Sequence, residues 1–207
     1  MAHQYKVIAA GKPVAEAEKA LIMIHGRGAT ARDILTLAPH LNVSDYALLA
    51  PQATGNTWYP QSFLAPIEEN EPWLSSALEN LQQLTKEVIA AGIKKENIYF
   101  LGFSQGACLT MEFIARNADK YGGAVAFTGG LIGPAVNTAN YKGNFEKMPV
   151  FIGSSDPDFH VPVTRVHETT KVLEDMGADV TTIVYPQMGH TISQNEINEV
   201  NRLIFSK

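Results

Sequence analysis

The sequence predicts an α/β fold, a mostly parallel central sheet with helices on both faces. Two observations lead there. Short apolar runs bounded by turn residues alternate with longer segments of helical period, and most of those runs lack the polar alternation of a strand with one wet face. A strand of that kind must be covered on both sides, and crossover helices are what cover it. A chain of 207 residues that is 45% hydrophobic suits one compact domain over 1–207, because two cores would each be thin.

The runs predicted as strands cover residues 6–9, 20–24, 46–50, 98–101, 124–127, 150–152 and 180–185. From Pro72 to Ala91 the residues Leu74, Leu78, Leu81, Leu84 and Val88 recur at intervals of three and four. Pro72 stands at a first turn and Gly92 at a stop, so this segment is an amphipathic crossover helix. Ser193-Gln-Asn-Glu196 is a capping-box pattern, and Ile197, Val200 and Ile204 continue from it along one face, which predicts a C-terminal helix. No internal repeat or low-complexity tract interrupts the series.

Composition narrows the function classes. Sixteen Lys plus Arg against 21 Asp plus Glu give a formal charge of −5, which offers nothing to attract phosphate backbones or anionic lipid, so nucleic acid is excluded as a partner. Apolar runs never approach the roughly 20 residues that span a bilayer, so no integral membrane association is expected. The single cysteine, Cys108, cannot form an internal disulfide, and the first residues lack a secretory pattern. A cytoplasmic setting fits both. Metal-ligand spacings and phosphate-binding glycine loops are absent, so neither a metal nor a cofactor is expected.

The run Ile98-Tyr-Phe-Leu101 leads into Gly102-Phe103-Ser104-Gln105-Gly106-Ala107, and an apolar stretch follows from Cys108 to Ala115. Strand, sharp turn and buried helix form the context of a nucleophile elbow. A serine on such a turn needs small flanking residues so that two backbones can approach, and Gly102 and Gly106 meet that need. The helix N-terminus beyond it favours developing negative charge.

A serine hydroxyl is a weak nucleophile near neutral pH and needs a neutral imidazole to take its proton. In α/β-hydrolases the chain order is nucleophile, acid, histidine, and only His160, His167 and His190 follow Ser104. His167 falls in a helical segment. His190 follows the last strand directly, where a loop at the sheet's carboxyl edge would present it to Ser104. For the acid, the loop after Gly153 offers Asp156 at G-x-x-D spacing and Asp158 at D-x-x-V-P spacing; Asp158 is favoured, and Asp156 reads as a turn residue.

A tetrahedral intermediate needs two donors for its oxyanion. The Gln105 amide, just after the serine, supplies one, and the Arg27 amide, within His25-Gly26-Arg27-Gly28, supplies the other. His25 precedes the nucleophile and adjoins a turn, so it reads as a structural hydrogen-bonding residue. Trp58, Tyr59 and Phe63 stand in a turn-rich stretch that suits either a substrate pocket or ordinary core packing. Cys108 reads as core filler.

His25-Gly-Arg-Gly28, Gly102-Phe-Ser-Gln-Gly-Ala107, the Asp158-x-x-Val-Pro162 loop and Met188-Gly-His190 together resemble the phospholipase/carboxylesterase family, which includes acyl-protein thioesterases. The resemblance covers nearly the whole chain. It implies an α/β-hydrolase fold without a large cap domain, since residues 129–149 are too few for one. It also implies a Ser104, Asp158, His190 triad, an oxyanion hole of the Arg27 and Gln105 amides, a small-molecule ester or thioester substrate, and a monomer or homodimer.

The sequence departs from the common family pattern at Arg27, where an apolar residue is frequent, which weighs against long-chain acyl specificity. Arg27 reads either as a surface arginine satisfied by water or as a partner for a substrate carboxylate or phosphate. Acyl-enzyme ester hydrolysis is the leading reading and thioester cleavage the alternative. A non-catalytic ligand-binding module is the competitor from another class.

Overall fold

The computed structural model describes residues 2–206. Its centre is a seven-stranded sheet of β1 (Val7–Gly11), β2 (Ala20–Ile24), β3 (Ala47–Pro51), β4 (Ile98–Phe103), β5 (Gly123–Phe127), β6 (Pro149–Asp156) and β7 (Asp179–Pro186). The strand order is β1-β3-β2-β4-β5-β6-β7. β1 pairs antiparallel with β3, and every other pair is parallel.

Helices α1 (Ala31–Leu35), α2 (Trp73–Ala90), α3 (Gln105–Arg116), α4 (Val163–Asp175) and α5 (Gln194–Leu203) cover the sheet. In β2 the alternate residues Ala20, Ile22 and Ile24 face a core shared with α2, α3 and α4. Leu21 and Met23 face a second core with α1 and α5. Both sides of β2 are fully buried, which is why its sequence shows no polar alternation.

The α2 stripe packs Leu74, Leu81, Leu84 and Val88 into the first core, each such leucine contributing roughly 1.5–3 kcal/mol of transfer free energy. Gly92, at φ +102°, ends the helix in a conformation that a side chain would strain. At α5 the reciprocal capping box forms, with Ser193 Oγ accepting from the Glu196 amide and the Glu196 carboxylate accepting from the Ser193 amide.

Two differences from the sequence expectation exceed a shift of one or two residues at a strand end. β6 extends to Asp156 rather than ending at residue 152, because Gly153, Ser154, Ser155 and Asp156 pair with Ile183 through Pro186 of β7. Backbone pairing with a neighbouring strand carries these polar residues into the sheet. Helix α1 was not expected; it forms on a Thr30 capping box with Asp33, too short to show an apolar period.

Register sets the site. Ile24 at the end of β2 lies beside Gly102 of β4, and Asp156 at the end of β6 lies beside Pro186 of β7. The loops that follow these strands therefore meet along the carboxyl edge of the sheet. Among the described residues no helix is long and apolar enough to cross a membrane.

Candidate active site

The turn between β4 and α3 places Ser104 at φ 54° and ψ −119°, a strained conformation for a side-chain-bearing residue. Close backbone approach enforces it. A Cβ on Gly102 would lie 2.3 Å from the Gly106 carbonyl oxygen, and one on Gly106 would lie 2.2 Å from that of Ile24. The Ser104 amide donates to Phe127 O at 2.9 Å, tying the turn to β5.

Ser104 Oγ lies 2.8 Å from His190 Nε2, and His190 Nδ1 lies 2.9 Å from Asp158 Oδ2. The structure thus brings Ser104, His190 and Asp158 into one hydrogen-bonded chain, although 86 residues separate the serine from the histidine. The Asp158 side chain is fully buried and the His190 side chain 25% exposed, so the ring reaches solvent while its carboxylate partner does not.

The other Asp158 oxygen accepts from the amides of His160 at 2.7 Å and Val161 at 2.9 Å. Burial works to raise this carboxyl, but the hydrogen bond from His190, the two amides and the imidazole's charge together outweigh it and lower its pKa below 3.8. Asp156, two residues earlier, is exposed and takes no part in the chain. Its backbone carbonyl accepts from the Gln187 amide, and the Gly189 amide donates to Ser155 Oγ at 2.9 Å, so the two loops are joined directly.

The loop after β2 packs against the elbow. A Cβ on Gly26 would lie 3.3 Å from Phe103 O and 3.5 Å from Ser104 Cβ. Arg27 follows, and Gly28, at φ +77°, donates to Asn56 O at 2.7 Å. Among the described residues neither the Arg27 amide nor the Gln105 amide donates to another protein group, so both remain free for a ligand at Ser104.

His25 is buried, its Nδ1 2.7 Å from Gly26 O and its Nε2 accepting from the Ala53 amide at 3.2 Å. This neutral tautomer leaves neither nitrogen for chemistry, in keeping with the lowered pKa that burial gives it.

A cavity of about 550 Å³ opens beside Ser104, and Arg27, Tyr59, Phe63, Phe103, His160 and Val161 are among the residues that line it. Tyr59 and Phe63 therefore lie where a substrate pocket was expected. Trp58 does not and is corrected to core, since it is buried against His3 and His25 with its indole N–H donating to His25 O. Cys108 is buried and also touches the cavity, and burial pushes its thiol up to about 12, which keeps it protonated and inert.

Three contributions escape the sequence motifs. The buried Gln105 side chain accepts from the Trp58 amide and donates to Tyr59 O, fixing the pocket wall to the elbow. His160 packs edge-on against His190, ring centroids 4.8 Å apart. The Arg27 guanidinium donates to Pro60 O at 2.9 Å and Gln61 O at 2.6 Å and stands 5.9 Å from the Tyr59 ring. All three depend on residues distant in the chain, so no local pattern announces them.

A mostly parallel sheet, a serine elbow on its central strand and a His–Asp pair from the last two strands define an α/β-hydrolase. Residues 3–205 match the phospholipase/carboxylesterase family model, and the chain belongs to that family. It superposes on the crystal structure of a phospholipase/carboxylesterase from Dyadobacter fermentans DSM 18053 with a TM-score of 0.98 and 52% identity, covering 100% of this chain and 99% of that one. Acyl-protein thioesterase 1 of Saccharomyces cerevisiae is 28% identical over 212 residues, 91% of this chain and 92% of that protein. A probable carboxylesterase of Arabidopsis thaliana, SOBER1-like, is 28% identical over 129 residues, 62% of this chain. The match spans only 49% of that plant protein's length.

Proposed function

We propose that this protein is a serine hydrolase that cleaves carboxylic esters of short to medium acyl chain through an acyl-enzyme on Ser104. The observation that carries the reading is the unbroken Ser104, His190, Asp158 hydrogen-bond chain, whose Ser104 and His190 line the cavity. Asp158 holds the proton on His190 Nδ1, which leaves Nε2 as the acceptor for the serine proton. As Oγ attacks the ester carbonyl, the imidazole takes that proton and the buried carboxylate stabilises the resulting cation. The oxyanion forms between the Arg27 and Gln105 amides, with the N-terminus of α3 behind the second.

Collapse of the intermediate expels the leaving oxygen, which takes the proton from His190. Water then attacks the acyl-enzyme with the same base, releases the carboxylic acid and restores Ser104. Tyr59 and Phe63 offer aromatic walls to the acyl or leaving group. No step calls for a metal or cofactor.

A thioester presents the same carbonyl to the same serine, and the likeness to a yeast protein named as an acyl-protein thioesterase favours including thioesters among the substrates. A single buried cysteine, with no disulfide to maintain, fits a reducing cytoplasmic setting.

Treatment with a fluorophosphonate probe and intact-mass measurement tests the mechanism. A covalent adduct on the wild type, and none on Ser104→Ala or His190→Ala, is the expected result. An unlabelled wild type would overturn the reading in favour of a ligand-binding module.

A further inference from the structure

We propose that Arg27 selects esters whose acyl group carries a second, free carboxylate, that is, monoesters of dicarboxylic acids. The inference rests on the esterase reading above and names the substrate class for that site.

Arg27 is among the residues lining the cavity beside Ser104, and so are Pro60 and Gln61, whose carbonyls hold its guanidinium. Its guanidinium has five N–H donors. One on each terminal nitrogen is used, on Pro60 O and Gln61 O, and the others have no acceptor among the described residues. Those two carbonyls and the Tyr59 ring fix the plane of the group, so little side-chain freedom is lost when a carboxylate docks.

No Asp or Glu is among the residues lining the cavity. The nearby Asp158 carboxylate is buried and fully engaged by His190 and two amides. In a chain of net charge −5, an arginine with spare donors in a cavity wall without acids is an anion site.

Sheet order separates the two sides of the site. β2 flanks the nucleophile strand β4 on one side, while β6 and β7, which carry the acid and the histidine, lie beyond β5 on the other. The leaving group must take its proton from His190 and so departs towards the β6 and β7 side. The acyl group is assigned to the wall of Arg27, Pro60 and Gln61, away from His190. Oγ bonds to the ester carbon as its proton passes to His190, the leaving C–O bond breaks on collapse as that proton moves to the leaving oxygen, and water then releases the dicarboxylate.

The test compares kcat/KM for the mono-p-nitrophenyl ester of glutaric acid with that for p-nitrophenyl valerate, which has the same chain length without the charge. A parallel pair, 4-carboxyphenyl valerate and phenyl valerate, places the charge on the leaving side. Wild type should favour the glutarate ester by roughly tenfold to a hundredfold, the range for a hydrogen-bonded charge. Arg27→Gln should bring the ratio to within about threefold of unity, and Arg27→Lys, a point charge without the fork, should keep part of the preference.

A wild-type ratio at or below one, with fluorophosphonate labelling intact, overturns this inference and leaves the esterase reading standing. Equal losses on both esters in Arg27→Gln would make Arg27 a clamp for Pro60 and Gln61 and nothing more. A preference confined to 4-carboxyphenyl valerate would overturn the acyl-side assignment. Absence of labelling and of hydrolysis of all four esters would remove the esterase reading itself. Because the wild-type ratio is read without any variant, a poorly folded Arg27→Gln protein does not rescue the proposal.

Discussion

His25 and His190 occupy similar stations, and the proposed mechanism gives them opposite work. Each follows the carboxyl end of a strand, β2 or β7, and each adjoins a glycine. At His25 the backbone groups of Gly26 and Ala53 occupy both ring nitrogens and Trp58 covers the ring, so the imidazole is a buried spacer. At His190 both nitrogens face side chains, a buried carboxylate and a serine hydroxyl, and the ring edge reaches the cavity. An imidazole becomes a base when its partners are a carboxylate and a group that can lose a proton. When the main chain consumes both nitrogens, the same ring only holds loops together.

The contrast is sharpest in activity. His190→Ala should lower kcat/KM on p-nitrophenyl esters by about 10⁴ to 10⁶-fold. His25→Ala should act on stability instead, costing about 1–3 kcal/mol in urea unfolding through the backbone groups it strands. Comparable activity losses in the two variants, with stability unchanged in both, would erase the distinction.

Next in size is the pair of aspartates behind His190. Asp158→Asn should lose about 10⁴-fold in turnover, as when a triad carboxylate no longer holds its histidine's tautomer, while Asp156→Asn should lose less than about tenfold. A reversed order in steady-state kinetics would transfer the acid role to Asp156.

Gly106→Ala probes the seam between the two regions, since its Cβ would sit 2.2 Å from Ile24 O and 2.5 Å from His25 O. Forcing those backbones apart should cost about 1–3 kcal/mol or more in a denaturant titration. An unchanged midpoint would mean the His25 loop is free to move away from the elbow.

The smallest expected effect is on pH. Burial lowers the pKa values of both His25 and His3 from 6.5. The folded state therefore binds fewer protons than the unfolded chain below roughly pH 6.5, so stability rises with pH through that window and falls as the solution is acidified. Thermal melts should drop by a few degrees between pH 7.5 and 5. The slope should flatten in His25→Gln, and a slope unaffected by that substitution would remove His25 as a source of the effect.

Much of this architecture is legible in the sequence because its signals are local. The unalternating run of β2, the three-and-four spacing of α2 and the Ser193 capping box each reflect interactions within one element or one doubly covered strand. The glycines flanking Ser104 are local too, since a tight turn needs them wherever it occurs. Trp58 and Tyr59 are a different case. They are adjacent in sequence and equally aromatic, yet one packs against His25 and the other lines the cavity. Nothing in the turn-rich stretch around them distinguishes the two faces.

The sequence by itself determined the layered fold and the turn around Ser104, because periodicity and turn chemistry are carried by near neighbours. Only the tertiary structure decided which polar group faces which: Asp158 rather than Asp156 on His190, the Gln105 side chain on the loop at Trp58 and Tyr59, and Arg27 on Pro60 and Gln61. Those pairings depend on strand register and on the side of the sheet from which each loop returns. Such distances across the sheet edge are set by packing of the whole core and leave no periodic trace in the chain.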